Sequence, residues 1–303
     1  VLERHGYRPL VLKGAFLARH AWPDPAERPM RDIDLLLPRD QVLAAYQRLQ
    51  EAGYTMLSQP TVPLADHARL ELHMPPLALP RGTCLELHGR LSELDGKLEY
   101  RTPAGDEAGV IARAITIDGV RYPAPTDMLA HLVIHAVYGH RLDCGPAVLG
   151  DVRWLAARHP IDWADFWRSA DANGWADGAR LILALVRRYH GASALPAHPD
   201  EPPPPDPEVI DLAADLLLQD YTAKKPARML ATLRSGGLGW LRGRLAGRVE
   251  GSGEDTVTVD RGGPLARLRW ASAQTVEYAG QLARPDVREQ ARHLARFRRW
   301  LMR

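Results

Sequence analysis

Two carboxylates separated by a single residue, Asp32 and Asp34, lie in the run Arg31-Asp32-Ile33-Asp34-Leu35-Leu36-Leu37. Side chains on a strand alternate faces, so this pair shares one face while Ile33, Leu35 and Leu37 point the other way, into a core. Carboxylates held that close repel unless a cation or a proton intervenes. Hard oxygen ligands of this kind suit Mg²⁺, which takes a few carboxylates together with substrate phosphates. Leu36 breaks the alternation, and the apolar run 35–37 predicts a strand that becomes buried on both faces as it leaves the carboxylates. Alone, Asp-x-Asp reads more readily as a solvated pair at a strand entrance; the upstream segment reverses that reading.

Residues 9–12 form a short apolar run after the turn-like Gly6-Tyr7-Arg8-Pro9, Lys13-Gly14 ends it, and residues 15–22 look helical. This predicts a strand, a tight glycine turn and a helix. A helix N-terminus offers unpaired N–H groups and a positive dipole end, glycine permits close backbone approach, and Lys13 adds a point charge for a phosphate. Lysine is scarce in this chain, limited to Lys13, Lys97, Lys224 and Lys225 against a background of arginine, which makes Lys13 more noticeable.

A third carboxylate is expected on a neighbouring strand. In Thr83-Cys84-Leu85-Glu86-Leu87-His88 the polar residues Cys84, Glu86 and His88 alternate with leucines, so the polar side can face the aspartates. A similar string, Leu70-Glu71-Leu72-His73, competes for the role. Glu86 is preferred for its longer alternation, which leaves Glu71 and His73 on a neighbouring strand or on the approach to an acceptor pocket.

With these residues in view, the chain resembles the nucleotidyltransferase superfamily with the polymerase-β-like fold. It resembles more closely an uncharacterised bacterial family that carries L-K-G, then R-x-x-D-I-D-L-L-V, then a D-L-H strand. The matching residues are Leu12-Lys13-Gly14, Arg28-Pro29-Met30-Arg31-Asp32-Ile33-Asp34-Leu35-Leu36-Leu37 and Glu86-Leu87-His88, over roughly residues 8–160. Three positions depart from the pattern. Lys13-Gly14 stands where the superfamily has Gly-Ser, Glu86 where relatives have Asp, and Arg31 where they have a small residue. The chain begins at Val1, and a helix that precedes the first strand in relatives is expected to lie outside it.

The resemblance implies a small mixed β-sheet core flanked by helices, an α+β fold, and a two-metal mechanism using Mg²⁺ or Mn²⁺. Asp32 and Asp34 would hold one ion on the triphosphate, and Glu86 would bridge a second that lowers the pKa of an acceptor hydroxyl, the ions lying about 3.5–4 Å apart. Glu86 is also a candidate to take the acceptor proton. Lys13, Gly14, Arg28, Arg31 and His88 are expected around the nucleotide, with Lys13 and Arg28 balancing charge on the departing pyrophosphate. The expected reaction moves a nucleoside monophosphate from an NTP to an unidentified acceptor, a hydroxyl or phosphate of a peptide or protein, a small molecule or RNA. The competing readings are a non-catalytic module that binds nucleotide, RNA or protein, and a phosphotransferase using the same metal clamp.

At 303 residues, 46% hydrophobic and 25% charged, the composition is that of an ordinary soluble protein with one sizeable core and an appended domain. No apolar run approaches the length of a membrane span, two cysteines are too few for a disulfide framework, and nothing resembles a signal peptide, so a cytoplasmic location is expected. Residues 1–122 are read as the catalytic core, 123–195 as a helical domain, 196–207 as a proline-rich linker and 208–303 as a basic, mainly helical region.

Within the helical domain, Thr126 is expected to cap a helix over 128–138, with Asp127 in its first turn. His131 and His135, four apart on one face, suggest zinc, but no third ligand or glutamate base follows at a recognisable spacing, so they are read as hydrogen-bonded core histidines. A contact between His135 and Asp151 is expected to brace the domain. Residues 221–303 hold 17 Lys and Arg against 7 Asp and Glu, leaving 22 against 30 for residues 1–220, so the overall +2 conceals a polar molecule. Arg288, Arg292, Arg296, Arg299 and Arg303 recur at helical spacing opposite Val287, Ala291, Leu294 and Leu301. They describe a basic amphipathic helix suited to an anionic partner, with Trp240, Trp270 and Trp300 available to stack. Gly236-Gly237 and Gly251-Ser252-Gly253 are read as loops.

Overall fold

The run Asp32–Leu36 forms strand β2, and a computed structural model of the chain shows what surrounds it. The structure describes residues 1–60, 62–79, 82–93, 102–219, 226–228, 230–231, 248–249, 257–258 and 284–302. Among them β2 belongs to a five-stranded mixed sheet with β1 (Leu10–Val11), β3 (Thr55–Met56), β4 (Leu77–Ala78) and β5 (Cys84–His88), in the order β1-β2-β5-β4-β3. Only the β2–β5 pair is parallel; the other neighbours are antiparallel. The fold is α+β, as the resemblance implied.

Both faces of β2 are buried beyond the carboxylates. Leu37 packs with Leu77, Leu85, Leu87 and helix α2 (Arg39–Glu51), and Ile33 and Leu35 lean on the same cluster. Leu36 faces the opposite way and meets Leu10, Leu12 and Val110. In α2 the residues Val42, Ala45, Tyr46 and Leu49 recur at helical spacing, and all four are buried. One strand therefore holds two apolar layers together, which fixes where Asp32 and Asp34 emerge.

The segment after β1 departs from expectation in register. Lys13 is itself the first residue of the helix α1 (Lys13–Phe16), at φ +29°, and the helix continues as a π-helical turn over Leu17–Ala21. A positive φ on a lysine is a strained conformation that surrounding structure must hold in place. Beyond the sheet come α3 (Leu64–Leu70), α4 (Glu107–Ala112) and the hairpin β6 (Ile115–Ile117) and β7 (Val120–Tyr122). A helical layer follows: α5 (Pro125–Ile134), α6 (Ala147–Arg158), α7 (Trp163–Asn173) and α8 (Ala176–His190).

α5 begins with Pro125 in its first turn and Ala124 at the cap position, so Thr126 is not the cap. Proline suits that first position because its missing N–H would be unpaired there in any case. Thr126 Oγ1 instead accepts from the backbone N–H of Asp162 at 3.0 Å, and Asp127 pairs with Arg113. α5 passes into a second π-helical turn at His135–Gly139.

Helix α6 lies against the α1 segment through a close approach at Gly150. A Cβ built there would fall 2.8 Å from the Trp22 ring. Gly150→Ala is therefore expected to overpack this contact and cost about 1–3 kcal/mol, read as a lower urea midpoint with an unchanged slope. An unaltered midpoint would show that Trp22 is free to move aside.

Two compact units are present. The first comprises residues 1–93, 102–139 and 147–205; the second is built from residues 140–146 and 206 onward. The proline-rich stretch has no helix before Pro207, and it lies along α8, with Arg187 bound to Glu201 and Arg180 donating to the Pro203 carbonyl. In the second unit α9 (Pro207–Leu217) packs against α10 (Pro285–Leu301), which buries Val287, Ala291, Leu294 and Phe297. Arg288, Arg292, Arg296 and Arg299 are exposed on α10. Trp300 stacks on Phe297 at 5.5 Å. The strands β8 (Arg248–Val249) and β9 (Val257–Thr258) pair with each other. Arg303, Trp240, Trp270 and both glycine-rich loops lie outside the described residues. Among those described, no helix is long and apolar enough to cross a membrane.

Candidate active site

Register builds the site. In the parallel β2–β5 pair Asp32 lies opposite Cys84, Asp34 opposite Glu86 and Leu36 opposite His88. Alternation places Asp32, Asp34, Glu86 and His88 on one face. Asp34 is 7% exposed and His88 5%, so both need partners. They supply each other: His88 Nε2 donates to Asp34 Oδ1 at 2.9 Å and lies 3.7 Å from Glu86 Oε2. The Lys13 ammonium takes the other side of Asp34, with Nζ 3.3 Å from Oδ2.

These contacts divide the carboxylates. Burial pushes the Asp34 carboxyl up, but the His88 hydrogen bond and the Lys13 charge outweigh it and hold the group far below the usual range. Glu86 follows the same pattern, lowered by His88 and by His73. Asp32 goes the other way, raised by burial and then by the negative charges of Asp34 and Glu86. Lys13 and His88 offset only part of this, so Asp32 keeps a burial cost and a like-charge repulsion of the kind a bound cation relieves.

The donor set fits such a cation. Ligand atoms of Asp34, Glu86 and His88 all lie within 4.8 Å of one another, and the carboxylate oxygens are the donors that Mg²⁺ and Mn²⁺ prefer. Asp32, expected beside Asp34, stands one step along the same face and outside this convergence. His88 is expected at the nucleotide, but it is buried, hydrogen-bonded to Asp34 and 3.7 Å from Glu86, an arrangement that orients ligands. Glu86 rather than Glu71 faces Asp34; Glu71 follows the end of α3, and His73 forms a single bridge with His88 and lies 3.7 Å from Glu86.

Other expected residues are employed differently. Arg28 Nε and Nη2 donate to Asp151 at 2.7 and 2.8 Å, and Trp22 Nε1 donates to the same carboxylate at 2.8 Å. Asp151 is thus held by Arg28 and Trp22, not by His135. The space before Gly14 is taken by Arg28 and Met30, each 3.0 Å from where a Cβ would be. Arg31 is exposed beside Asp32.

Apart from their shared helical face, nothing in the spacing of His131 and His135 directs them here. His135 Nε2 lies 3.4 Å from Lys13 Nζ, and since an ammonium only donates, that nitrogen accepts. The His131 and His135 rings meet at a tilt, with centroids 5.7 Å apart. His131 is 5% exposed and neither ring nitrogen has a hydrogen-bond partner among the described residues, which corrects the expectation of a hydrogen-bonded core histidine. Burial, then the charges of Lys13 and His88, press its pKa well below 6.5 against the pull of Asp34.

His88 and His131 give stability opposite pH limbs. His88 is raised above 6.5, because its hydrogen bond to Asp34 and the nearby Glu86 carboxylate outweigh burial and Lys13. Its contribution is complete below 6.5 and is lost as pH rises through the folded value. His131 contributes fully above 6.5 and loses stability as pH falls, since the unfolded chain binds a proton that the folded one refuses. In chelator, Tm should peak near pH 6.5. The unfolding free energy should fall on either side at up to about 1.4 kcal/mol per pH unit per group. His88→Gln should flatten the alkaline limb and His131→Leu the acid one. An alkaline limb that His88→Gln leaves unchanged would contradict the charged His88–Asp34 pair.

No curated protein and no solved structure matches the chain. A family model described as an uncharacterised nucleotidyltransferase matches residues 1–191, the part that carries the sheet, the carboxylates and the helical layer over them. The chain belongs to that nucleotidyltransferase family.

Proposed function

We propose that the protein transfers a nucleoside monophosphate from an NTP to an acceptor hydroxyl, with Asp32, Asp34 and Glu86 holding Mg²⁺ or Mn²⁺. The observation that supports this most is the register that sets Asp34 opposite Glu86 with Asp32 on the same face. When bound, the metal supplies charge neutralisation on the triphosphate and Lewis-acid activation of the reacting oxygens.

The chain's own groups do the rest. His88 fixes the Asp34 carboxylate in its ionised form. Lys13, held at the head of α1 and 3.3 Å from Asp34, is placed to release that contact and balance charge on the departing pyrophosphate. Glu86, ionised and 19% exposed at its side chain, accepts the acceptor proton. Positioned charge of this kind accounts for most of the acceleration in phosphoryl chemistry. The released product tests the reaction type: pyrophosphate is expected, and a nucleoside diphosphate instead would make the enzyme a phosphotransferase.

A further inference from the structure

His73 stands at the edge of the carboxylate face with a ring nitrogen to which the transfer reaction gives no role. Its backbone bridges to His88 of β5 in antiparallel register, and the Met74 N–H donates to the Leu87 carbonyl at 2.8 Å, so the segment is pinned to that strand. Met74 is buried in the apolar core with Leu85 and Leu87. Alternation then turns His73 to the opposite face, where Glu86 and His88 lie.

Hydrogen bonding fixes which nitrogen is offered there. His73 Nδ1 lies 2.8 Å from the Met74 carbonyl oxygen, and since a carbonyl only accepts, Nδ1 carries the proton. In the neutral ring the lone pair is therefore on Nε2, and that atom faces Glu86 Oε2 at 3.7 Å. One ring nitrogen anchored through its N–H on a backbone carbonyl, with the other left to bind, is the usual arrangement of a metal-ligating histidine.

A separation of 3.7 Å is too long for a hydrogen bond. It suits two ligands of one ion, which lie about 3–4 Å apart when each is about 2.0–2.2 Å from the metal. His88 Nε2 is equally far from the same oxygen, but it is buried and donates to Asp34. The His73 side chain is 34% exposed, so an ion can reach it from solvent.

An imidazole changes which ion is favoured. Carboxylate oxygens alone suit Mg²⁺ and Mn²⁺, whereas a carboxylate joined by an imidazole shifts the preference toward Zn²⁺ and its transition-metal neighbours. We infer that His73 supplies a nitrogen ligand beside Glu86, and that the position they form takes a transition-metal ion, Mn²⁺, Co²⁺ or Zn²⁺, in preference to Mg²⁺. The inference rests on the reading of this face as a metal site, and it adds to the ion at Glu86 a ligand that the carboxylates do not provide.

The test uses the full chain stripped with chelator and loaded with Mn²⁺ or Co²⁺ alone. Pulsed EPR of the Mn²⁺ form is expected to show coupling to an imidazole nitrogen. His73→Asn keeps an N–H for the Met74 carbonyl and removes Nε2. It should lose the nitrogen coupling and bind Co²⁺ at least about tenfold more weakly in calorimetry, while Mg²⁺–ATP binding stays within about twofold. His73→Gln, which places an amide near the Nε2 position, should lose the coupling as well and guards against a local distortion in the shorter variant.

Failure of the wild type to bind either ion, coordination of Mn²⁺ by oxygen alone, or a nitrogen coupling and Co²⁺ affinity that survive both substitutions would each overturn the inference. Metal-dependent NTP binding by the wild type, measured separately, would then leave the transfer reading standing. Its absence as well would remove that reading together with the role of His73.

Discussion

Asp34→Asn should abolish turnover while leaving the fold intact. Asp34 is the most heavily committed carboxylate of the face: it lies opposite Glu86, accepts from His88 and neutralises Lys13. Asparagine keeps the shape and a carbonyl acceptor for His88 but removes the charge that both the basic groups and a metal require. The loss in kcat/KM is expected to be on the order of a thousandfold or more, judged from what single electrostatic groups contribute in other active sites. His88 then loses its main reason to stay protonated, so the alkaline limb of the stability curve should flatten as it does for His88→Gln. Circular dichroism should remain that of the wild type. Activity within tenfold of wild type would remove Asp34 from the reaction.

The second large effect concerns stability rather than chemistry. Arg28 and Asp151 are joined by two short hydrogen bonds with side chains only 14% and 4% exposed, and they tie the loop before β2 to α6. Removing one partner strands the other charge in a poorly solvated place, so Arg28→Ala should cost about 3–5 kcal/mol. For a unit of this size that corresponds to a fall in Tm on the order of 10 °C. Arg28→Lys should restore little, because an ammonium cannot reproduce the two-pronged guanidinium contact. The pair Arg28→Met with Asp151→Leu should recover most of the loss, since neither charge is then left alone. An Arg28→Ala protein with unchanged Tm and weakened NTP binding would return Arg28 to the phosphate role suggested by sequence.

The contrast between these residues shows what a sequence makes legible. Strand alternation is a local property, and it placed Asp32, Asp34, Glu86 and His88 on polar faces and Leu36 in a second apolar layer, as the structure has them. The parallel pairing of β2 with β5 made Glu86 the carboxylate opposite Asp34, whereas Glu71 lies after a helix. The partner of Arg28 is 123 residues away and the His135 contact to Lys13 spans 122, so no periodic signal links either pair. One trace was available: Asp151 is a charge within the otherwise buried face of α6, and a buried charge demands a partner of opposite sign. The histidine pair at 131 and 135 was visible as a shared helical face, but its direction depends on how α5 meets the sheet. Boundaries near Lys13 and Thr126 slipped by a residue or two because φ at Lys13 and proline at the head of α5 override the simpler turn and cap signals.

The central claim is that this carboxylate face binds a metal–nucleotide complex, and calorimetric titration of the four NTPs with Mg²⁺ or Mn²⁺ tests it most directly. Run on the wild type and on Asp32→Asn/Asp34→Asn, it should show metal-dependent binding of at least one NTP to the former and none to the latter. Equal binding by both proteins, or no binding by the wild type, would contradict the account.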